Sequence, residues 1–533
     1  MKLSKLSLAV IGILGIATAR NAAALELYVD TKTKQLYSEP GPHREKLGTF
    51  VRVEDAPAKA EAPKPLDQAE LDKIRDELAL KANAIAALEE HVKEAEEFHV
   101  KLDDGIEFKS KDGNFKAAIH GRLQVDSQVN LTNEVARATG NSTQNELGDG
   151  AGLRRARIGV EGTFFKHYEY KFEYDFTRGN GTTGAGVTDA FLRWDVTKPF
   201  SIKVGSFKEP FSLEEATSNR FLTFIERHMA VNTFVDNPNT YKVGIGANYA
   251  KERYQIGASL QTEPVGANPS GSTSSASSTN TNGGSNRNNG SGDTGWEVNG
   301  RVSGLPWFES KTKFLHVGLS GSYVNVNNNF LANNNFNNGG FNFVTNPAAN
   351  VDRTSILDTG NLTSGSLGSA NSRIVDNFTR FGAESALVYG PWSAQAEYLQ
   401  ANISGTGYDG ETLDGYYAYG SYFLTGESRA YKGSTGAWNR LKPNHNFDLD
   451  SGWGAWEIAA GYDYLNLNDG VINGGRAATA RVALNWYPNS HFRLMANLVH
   501  VLDINTTNNT GARQRAFNNA DLDLFEMRAQ VDF

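Results

Sequence analysis

The strongest constraint on the fold of this chain is a repeated alternation of apolar and polar residues with a period of two. From Phe525 to Phe533, apolar residues at every second position alternate with charged or amide residues, and the segment ends on an aromatic ring. The same alternation runs through residues 115–126 and 168–176. Because side chains of a β-strand alternate between two faces, each segment has one apolar and one charged face. A transmembrane barrel filled with water needs both faces, whereas a soluble sandwich would not account for the persisting charges or the aromatic segment ends.

About 16 segments of this kind occur, an even number as bacterial barrels require. They begin near residues 115, 153, 167, 188, 200, 241, 254, 294, 314, 379, 392, 414, 454, 477, 491 and 523. Every backbone donor in lipid must be paired, so the sheet must close on itself. We therefore predict an all-β fold, a 16-stranded antiparallel transmembrane β-barrel. Short turns and long loops alternate along it, as on the periplasmic and extracellular faces of such barrels, but the connection 425–453 is long on the short-turn side.

The first 24 residues have the pattern of a secretory signal peptide. Lys2 and Lys5 precede an apolar run from Leu6 to Ala17, and three alanines ending at Ala24 form a small-residue cleavage site. The alternative is a buried N-terminal helix. We predict cleavage after Ala24 and therefore a bacterial outer-membrane location for the barrel, with a periplasmic N-terminal segment.

Composition supports this class of protein and excludes others. The chain has no cysteine, which excludes a disulfide framework and thiolate metal sites. Its mean hydropathy is −0.46, and beyond the N-terminus no apolar run is long enough for a transmembrane helix. The formal net charge is −8, and removal of the signal peptide makes it more negative by three charges. Such an acidic chain is not expected to bind nucleic acid.

Residues 66–97 have a different period. Apolar side chains there follow the a and d positions of about four heptads, with Glu and Lys on the flanks, which predicts an α-helical coiled coil. The alternative is a single amphipathic helix lying on the barrel. The predicted domains are thus the signal peptide 1–24, a periplasmic segment 25–100 that contains the coiled coil, and the barrel 101–533. No role is assigned to residues 25–64.

Several strands carry basic residues on the polar face. They are Arg122, Arg155, Arg157, Arg193, Lys203, Arg301 and Arg481. Arginine stays charged and holds oxyanions with a planar fork of donors, and rows of Arg and Lys select anions in pores. The alternative is that these are solvated charges balanced by the acidic residues of the same face, as in any porin.

Residues 206–240 form the third long loop and are the candidate constriction. Apolar side chains of this loop would pack against the inner wall, because exposed apolar patches need a surface to cover them. Arg220, Arg227, Glu214 and Glu215 would then line the passage. The alternative is a surface loop that covers a subunit contact.

Several segments resemble the phosphate-selective porin O/P family. They are HGRLQVD at 120–126, LRRARIGVEGT at 153–163, YKFEYDF at 170–176, SIKVGSFKEPFSLEEATSNRFLTFIER at 201–227, AQAEYL at 394–399, GYYAYGSYFLTGESRAYK at 415–432 and the final strand. The resemblance covers about 102–533. It implies a trimer of 16-stranded barrels, an inward third loop and an arginine ladder that leads to a basic constriction.

The resemblance also assigns candidate residues. It implies that Arg122, Arg154, Arg155 and Arg227 are ladder and constriction cations. Strand parity leaves Arg154 at the mouth of its strand.

Two further wall positions match the family pattern. Lys203 corresponds to a basic wall residue, and Asp189 corresponds to an acid near the anion site. Three positions depart from the family pattern. Glu215 stands where a lysine is expected, Ser206 where a wall arginine is expected, and the loop 402–414 carries carboxylates in place of lysines.

The predicted function is passive diffusion of small hydrophilic solutes, anions and phosphate among them, through a trimeric outer-membrane porin. The alternative is a structural protein that ties the outer membrane to the periplasm through its coiled coil. We predict no enzymatic activity, no cofactor and no metal. The expected partners are two further copies of the chain, outer-membrane lipid and small anionic or polar solutes, with peptidoglycan as a candidate.

Overall fold

The computed structural model describes residues 25–32, 35–50, 67–95, 98–101, 105–136, 146–177, 186–236, 241–262, 265, 295–326, 342–349, 351–364, 370 and 372–533. The predicted signal peptide lies outside these residues. The chain divides into two units, 1–90 and 91–533. In the residues described, no helix has the length and apolar character needed to cross a membrane.

The first unit contains a small sheet and most of one long helix. Strands β1 (Leu25–Asp30), β2 (Leu36–Tyr37) and β3 (Arg44–Phe50) pair antiparallel in the order β2-β1-β3. Helix α1 (Gln68–Ala95) lies within the range predicted for the coiled coil. Its apolar residues Ile74, Leu78, Ile85 and Leu88 are between 46% and 62% exposed. A coiled coil requires a second helix against this row, so the coiled coil itself stays a prediction.

The second unit is a barrel with short additions. Its elements begin with β4 (Phe98–Lys101) and β5 (Ile106–Ser110). The later strands are β6 (Phe115–Glu134), β7 (Gly150–Phe164), β8 (Tyr168–Asp175), β9 (Val187–Thr197), β10 (Phe200–Lys208), β11 (Tyr241–Ala250), β12 (Tyr254–Gln261), β13 (Trp296–Ser310), β14 (Lys313–Asn325), β15 (Val344–Thr345), β16 (Leu357–Asp358), β17 (Ile374–Tyr389), β18 (Trp392–Thr406), β19 (Tyr408–Phe423), β20 (Tyr431–Lys432), β21 (Ala437–Trp438), β22 (Ala455–Asp469), β23 (Ile472–Tyr487), β24 (Phe492–Asn505) and β25 (Asp521–Asp532). The short helices are α2 (Leu213–Ala216), α3 (Met229–Val231) and α4 (Ala512–Ala516), and a π-helical turn spans Asn232–Asp236.

Sixteen of these strands, β6–β14, β17–β19 and β22–β25, form a closed antiparallel barrel, as predicted. Closure occurs where β25 pairs with β6, from Asp521 opposite Glu134 to Asp532 opposite Arg122. Below the end of β25, β5 continues the pairing along β6, and β4 pairs with β5. The pairs β15–β16 and β20–β21 are small hairpins within the connections.

The last aromatic residue is part of the closure. Phe533 and Gly121 exchange two backbone hydrogen bonds, 3.0 and 3.1 Å long, and the Phe533 ring lies over the Gly121 Cα. A Cβ at position 121 would approach that ring to 2.5 Å. Glycine is therefore required here for the ring to pack on the strand.

The prediction of a loop at 402–414 is wrong. Strand β18 runs to Thr406 and β19 starts at Tyr408, so the connection is a tight turn at Gly407, whose φ is +77°. Glycine adopts this conformation without strain, which lets the two strands pair almost to their ends. Asp414 consequently lies within a strand, on the face opposite the buried Leu413 and Gly415, and does not line the interior.

The barrel interior is filled unevenly. On the side of β17–β19 and β22–β25, apolar side chains pack with the segments 342–349 and 351–364 and the end of the third loop in one buried cluster. The wall formed by β6–β10 instead carries charged side chains, many of them partly exposed. The partly exposed charges cited for the interior wall therefore lie along β6–β10.

Candidate functional site

The third loop folds into the barrel, as the sequence predicts, and the alternative of a surface loop is wrong. It follows β10 and is described from Glu209 to Asp236. Its apolar side chains Phe211, Phe224 and Ile225 are buried against the inner wall. The loop therefore lies inside the barrel and divides its interior.

Arginines of the opposite wall hold the loop by its backbone. Arg493 donates to the carbonyl of Leu222 (2.6 Å), Arg528 to that of Ile225 (2.6 Å) and Arg481 to that of Glu226 (3.1 Å). Hydrogen bonds from a charged donor are stronger than neutral ones. Arg481, which strand parity placed among the lumen cations, thus fixes the loop in position.

A buried group of four charges fixes the start of the loop. Both terminal nitrogens of Arg380 contact the Glu209 carboxylate at 2.8 Å. Lys242 lies 3.3 Å from the same carboxylate and 2.6 Å from Glu297. Buried charges are tolerated only when they are paired in this way, so the loop cannot leave the wall without exposing the group.

The predicted ladder arginines of β6 and β7 converge on the loop. Gln124 lies opposite Arg155 but Val125 lies opposite Leu153, so β7 carries a bulge at Arg154. A bulge interrupts the alternation of faces. Arg154 therefore turns toward the loop and contacts Glu226 through two bonds of 2.8 and 3.0 Å, which corrects its predicted place at the strand mouth.

Two carboxylates of β8 are shared among the neighbouring arginines. Glu173 lies 3.0 Å from Arg122 and 2.8 Å from Arg157, and Asp175 lies 2.7 Å from Arg157. Arg122 also contacts Asn219 of the third loop. Glu173 and Asp175 lie on the polar face of the segment 168–176, so the alternation already placed them inside.

Arg155 differs from its neighbours because it lacks a carboxylate. It is 3% exposed, and within the described part of the chain its one hydrogen bond runs from Nη1 to Gln124 Oε1 (3.0 Å). Its Nε has no hydrogen-bond partner, and no carboxylate of the described residues forms an ion pair with it. The Arg155 guanidinium therefore keeps donors that no described carboxylate occupies.

The cluster around the loop has more cations than carboxylates. Tyr241 joins its parts, since Arg157 donates to the Tyr241 hydroxyl (3.1 Å) and Lys208 lies 5.8 Å from the centre of its ring. Seven cations share five carboxylates: Arg122, Arg154, Arg155, Arg157, Lys208, Arg227 and Arg528, with Asp126, Glu173, Asp175, Glu215 and Glu226. Within this set of direct contacts the cations outnumber the carboxylates by two, although the whole chain is acidic.

Glu214 and Glu215, predicted to line the constriction, are buried within the loop. Glu215 is fully buried, 2.6 Å from Lys208 and 2.9 Å from Arg227. Glu214 contacts the ring and the backbone N–H of His228, at 2.7 and 3.0 Å. Both carboxylates are counter-ions that stabilise the loop, so neither faces the passage, and Arg227 is likewise buried in its pair.

Protonation of the loop carboxylates follows from these contacts. Burial alone would raise the pKa of Glu226, but Arg154, Arg528 and Arg155 outweigh it and leave the pKa well below the ordinary value. Burial also opposes ionisation of Glu214, and its pairing with His228 lowers the pKa nonetheless. Both carboxylates are therefore charged, and Glu226 neutralises part of the positive charge of the cluster.

Between the loop and the short-turn end, the wall carries alternating charges that are partly exposed. Lys171 lies 3.2 Å from Glu161 and 3.7 Å from Asp189, a predicted site residue.

In the next row of the wall, Arg193 lies 2.7 Å from Glu169 and 2.8 Å from Asp195. Lys203 is directly opposite Arg193 in the sheet and packs 4.2 Å from the centre of the Phe207 ring. Two predicted cations thus form one row on the passage wall.

Arg220 and a segment from the short-turn side complete this part of the passage. Arg220 is partly exposed and lies 3.9 Å from Asp532, which also pairs with Arg440. Trp438 of β21 donates its backbone N–H to Thr217 of the third loop (3.3 Å). The connection between β19 and β22 therefore enters the barrel below the third loop and supports it from the short-turn side.

Some residues of the site were not predicted. Glu226 lies in the third loop, where no strand parity marks an inward residue. Lys208 is the last residue of β10, a position that the sequence analysis placed in the loop. Ser206, at a position where the resemblance expects an arginine, donates its hydroxyl to the Thr188 carbonyl (2.9 Å) and contributes no charge.

The chain is similar in sequence to known proteins over most of its length. Residues 124–533 match the family described as phosphate-selective porin O and P. Porin O of Pseudomonas aeruginosa is 27% identical over 452 residues, which cover 82% of this chain and 94% of that protein.

Solved structures with a similar barrel include two porins. OmpT of Vibrio cholerae in a trimer form has a TM-score of 0.44 at 11% identity and covers 79% of this chain and 99% of that chain. An anion-selective porin from Comamonas acidovorans has a TM-score of 0.42 at 9% identity and covers 79% of this chain and 100% of that chain.

Proposed function

The chain belongs to the phosphate-selective porin O and P family and is an outer-membrane porin, and we propose that its passage favours small anions, with phosphate as the candidate solute. The proteins of this family that it resembles are channels rather than enzymes. The observation that carries the proposal is that cations outnumber their paired carboxylates around the third loop, where no described carboxylate pairs with Arg155.

A cation excess acts strongly in a narrow passage. Charges that would be screened in bulk water interact across a space walled by protein, where the effective dielectric constant is lower. A passing anion can exchange the water around it for guanidinium donors, whereas a cation meets a net repulsion. The predicted cations lie along this path. Its upper part has Arg122, Arg154, Arg155 and Arg157, and its lower part has Arg193, Lys203 and Arg220.

The acidic departures from the family pattern do not oppose this proposal. The carboxylate of Glu215 is buried and neutralised by Lys208 and Arg227, so it presents no negative charge to a solute. Asp414 lies off the interior face of β19, whereas Glu411 is on the buried face and accepts the Asp409 backbone N–H (2.9 Å) at the far end of the strand. The partly exposed acids Glu161 and Asp189 flank Lys171 and weaken the attraction that an anion meets below the constriction.

The test is the ion selectivity of the intact protein in a planar bilayer. In a potassium chloride gradient we expect a reversal potential of the sign for chloride, and we expect added phosphate to reduce the chloride current. A potential of the sign for potassium would overturn the anion proposal. Selectivity for chloride with no effect of phosphate would retain the anion proposal and remove phosphate.

We also propose that the mature chain is a homotrimer whose α1 helices form a periplasmic coiled coil. The exposed apolar row of α1 supports this, because such a row needs a partner helix. The domains follow as proposed from the sequence: a cleaved signal peptide 1–24, a periplasmic segment 25–100 and the barrel 101–533.

Deletion of residues 66–97 tests the trimer. We expect the deleted form to run as a smaller species on native gels while pore currents persist. A trimer of unchanged stability would contradict this role for the helix. If the trimer persists and the outer membrane detaches from the cell wall, the helix would instead be a tether, with peptidoglycan as the candidate partner.

A further inference from the structure

The connection between β19 and β22 ends in an exposed apolar tip, residues 446–453. Leu449 is 85% exposed and Trp453 72% exposed, the two largest values among the large apolar side chains of the described residues. Phe447 is exposed beside them. Single exposed apolar residues are ordinary, but a contiguous group at the end of one segment marks a contact surface.

The tip has a defined conformation. The Asp448 carboxylate accepts hydrogen bonds from three successive backbone N–H groups, those of Asp450 (3.0 Å), Ser451 (2.9 Å) and Gly452 (2.8 Å). Leu449 has a φ of +69°, in the left-handed region that a bulky residue rarely adopts. The turn closed by Asp448 therefore places Leu449 at its apex, away from the protein.

The tip lies on the outward side of the barrel rim. Trp456 and Trp486 stack with ring centres 5.4 Å apart on the outward face, since their neighbours Glu457 and Asn485 bond to each other inside the barrel (3.0 Å). Both indole N–H groups donate to the Trp453 carbonyl, at 3.2 and 2.9 Å. The tip is thus fastened to two residues of the aromatic rim.

Phe447 extends the same contact. Its ring packs edge-on against Trp486, with ring centres 5.2 Å apart, and its backbone N–H donates to the Pro488 carbonyl (2.7 Å). Aromatic residues at the ends of barrel strands lie at the level of the lipid headgroups. The tip therefore begins at the membrane interface and continues outward from it.

We propose that this tip inserts into the interfacial region of the periplasmic leaflet, with Leu449 and Trp453 against the lipid. The short-turn side of a bacterial barrel faces the periplasm, and tryptophan and leucine are typical of segments buried at this depth. The Asp448 carboxylate is bonded back to the turn, and the exposed Asp450 limits the insertion to the headgroup level. The tip then anchors the long connection that supports the third loop from below.

The absence of cysteine allows a direct test. Leu449→Cys gives a single attachment point for an environment-sensitive fluorophore in the full chain, reconstituted in vesicles of phosphatidylethanolamine and phosphatidylglycerol. Lys311→Cys, on the exposed turn between β13 and β14 of the same rim, is the matched control. Trp453→Cys serves as a second reporter in case the first variant folds poorly.

We expect the label at position 449 to emit at shorter wavelength, to be quenched at least several-fold more by brominated acyl chains than the label at 311, and to be protected from aqueous iodide. Equal quenching of the two positions by iodide overturns the proposal. Protection from both iodide and brominated lipid also overturns it, because a second copy of the protein would then cover the tip.

Discussion

Substitution of Arg155 by glutamine tests the source of the anion selectivity. The change removes one of seven cations that share five carboxylates, and so halves the local excess of positive charge. Glutamine keeps a polar side chain beside Gln124. Because Arg155 forms no ion pair with a described carboxylate, its removal leaves no acid buried without a partner, and the fold should persist.

The magnitude follows from the Coulomb interaction. Two unit charges about 4 Å apart interact with about 4 kcal/mol at an effective dielectric constant near 20, and pore water and salt reduce this to about 1–2 kcal/mol. That range corresponds to a fall of about 5- to 30-fold in the permeability of anions relative to cations. The loss should be largest at low salt, where screening is weakest.

The assay is the reversal potential of the single-channel current in a salt gradient, at two ionic strengths. Arg253→Gln is the matched control, because Arg253 lies on the exposed turn between β11 and β12 and packs on Phe308, outside the passage. Arg253→Gln lowers the net charge of the chain by one unit, as Arg155→Gln does. Equal effects of the two substitutions would refute the assignment of selectivity to the cluster.

Three further predictions concern stability, each read from unfolding in detergent by denaturant. Glu215→Lys restores the residue that the family pattern expects. It should nevertheless destabilise the barrel by about 3–5 kcal/mol, because it buries a third cation beside Lys208 and Arg227. Phosphate selectivity should not rise. Arg380→Met should cost about 3–5 kcal/mol, because the buried carboxylates of Glu209 and Glu297 would then share the single cation Lys242. The double change with Glu209→Met should cost less than the sum of the two single changes. Gly121→Ala should cost about 1–3 kcal/mol, since the new Cβ displaces the Phe533 ring.

Each stability prediction has an outcome that contradicts it. Higher phosphate selectivity with unchanged stability in Glu215→Lys would mean that this side chain reaches the passage. Strict additivity in the double variant would mean that Arg380 and Glu209 do not interact. A Cβ added at Gly152 would have no atom within 4 Å, so Gly152→Ala is the control for Gly121→Ala, and equal effects would remove the role of the ring.

Much of the fold was predictable because the residues of a lipid-facing strand follow a simple alternating pattern. Apolar side chains at every second position mark a strand wherever one face meets lipid, and closure follows from the need to pair every backbone group. The strands starting at Phe115, Phe200, Tyr241, Tyr254 and Trp392 begin where the alternation predicts. The error at β19 arose because strands also continue beyond the lipid, where no apolar face is required.

The inward third loop was predictable for a similar reason. Its apolar residues Phe211, Phe224 and Ile225 need a surface to cover them, and the barrel interior is the surface available. Wall cations were also predicted from parity, apart from Arg154, since one bulge in β7 changes the face to which it points.

The amino-acid sequence by itself determined the barrel, its strand number, the closing strand that ends on Phe533 and the residue types that the interior contains. Only the tertiary structure decided which charges neutralise one another. Glu215 read as an acid in the anion path, but the fold buries it between Lys208 and Arg227, while Arg155 is left with an amide partner. The reason is physical: face and period are local properties of a strand, whereas ion pairs join residues far apart in the chain, and their distances exist only once the loop has packed inside the barrel.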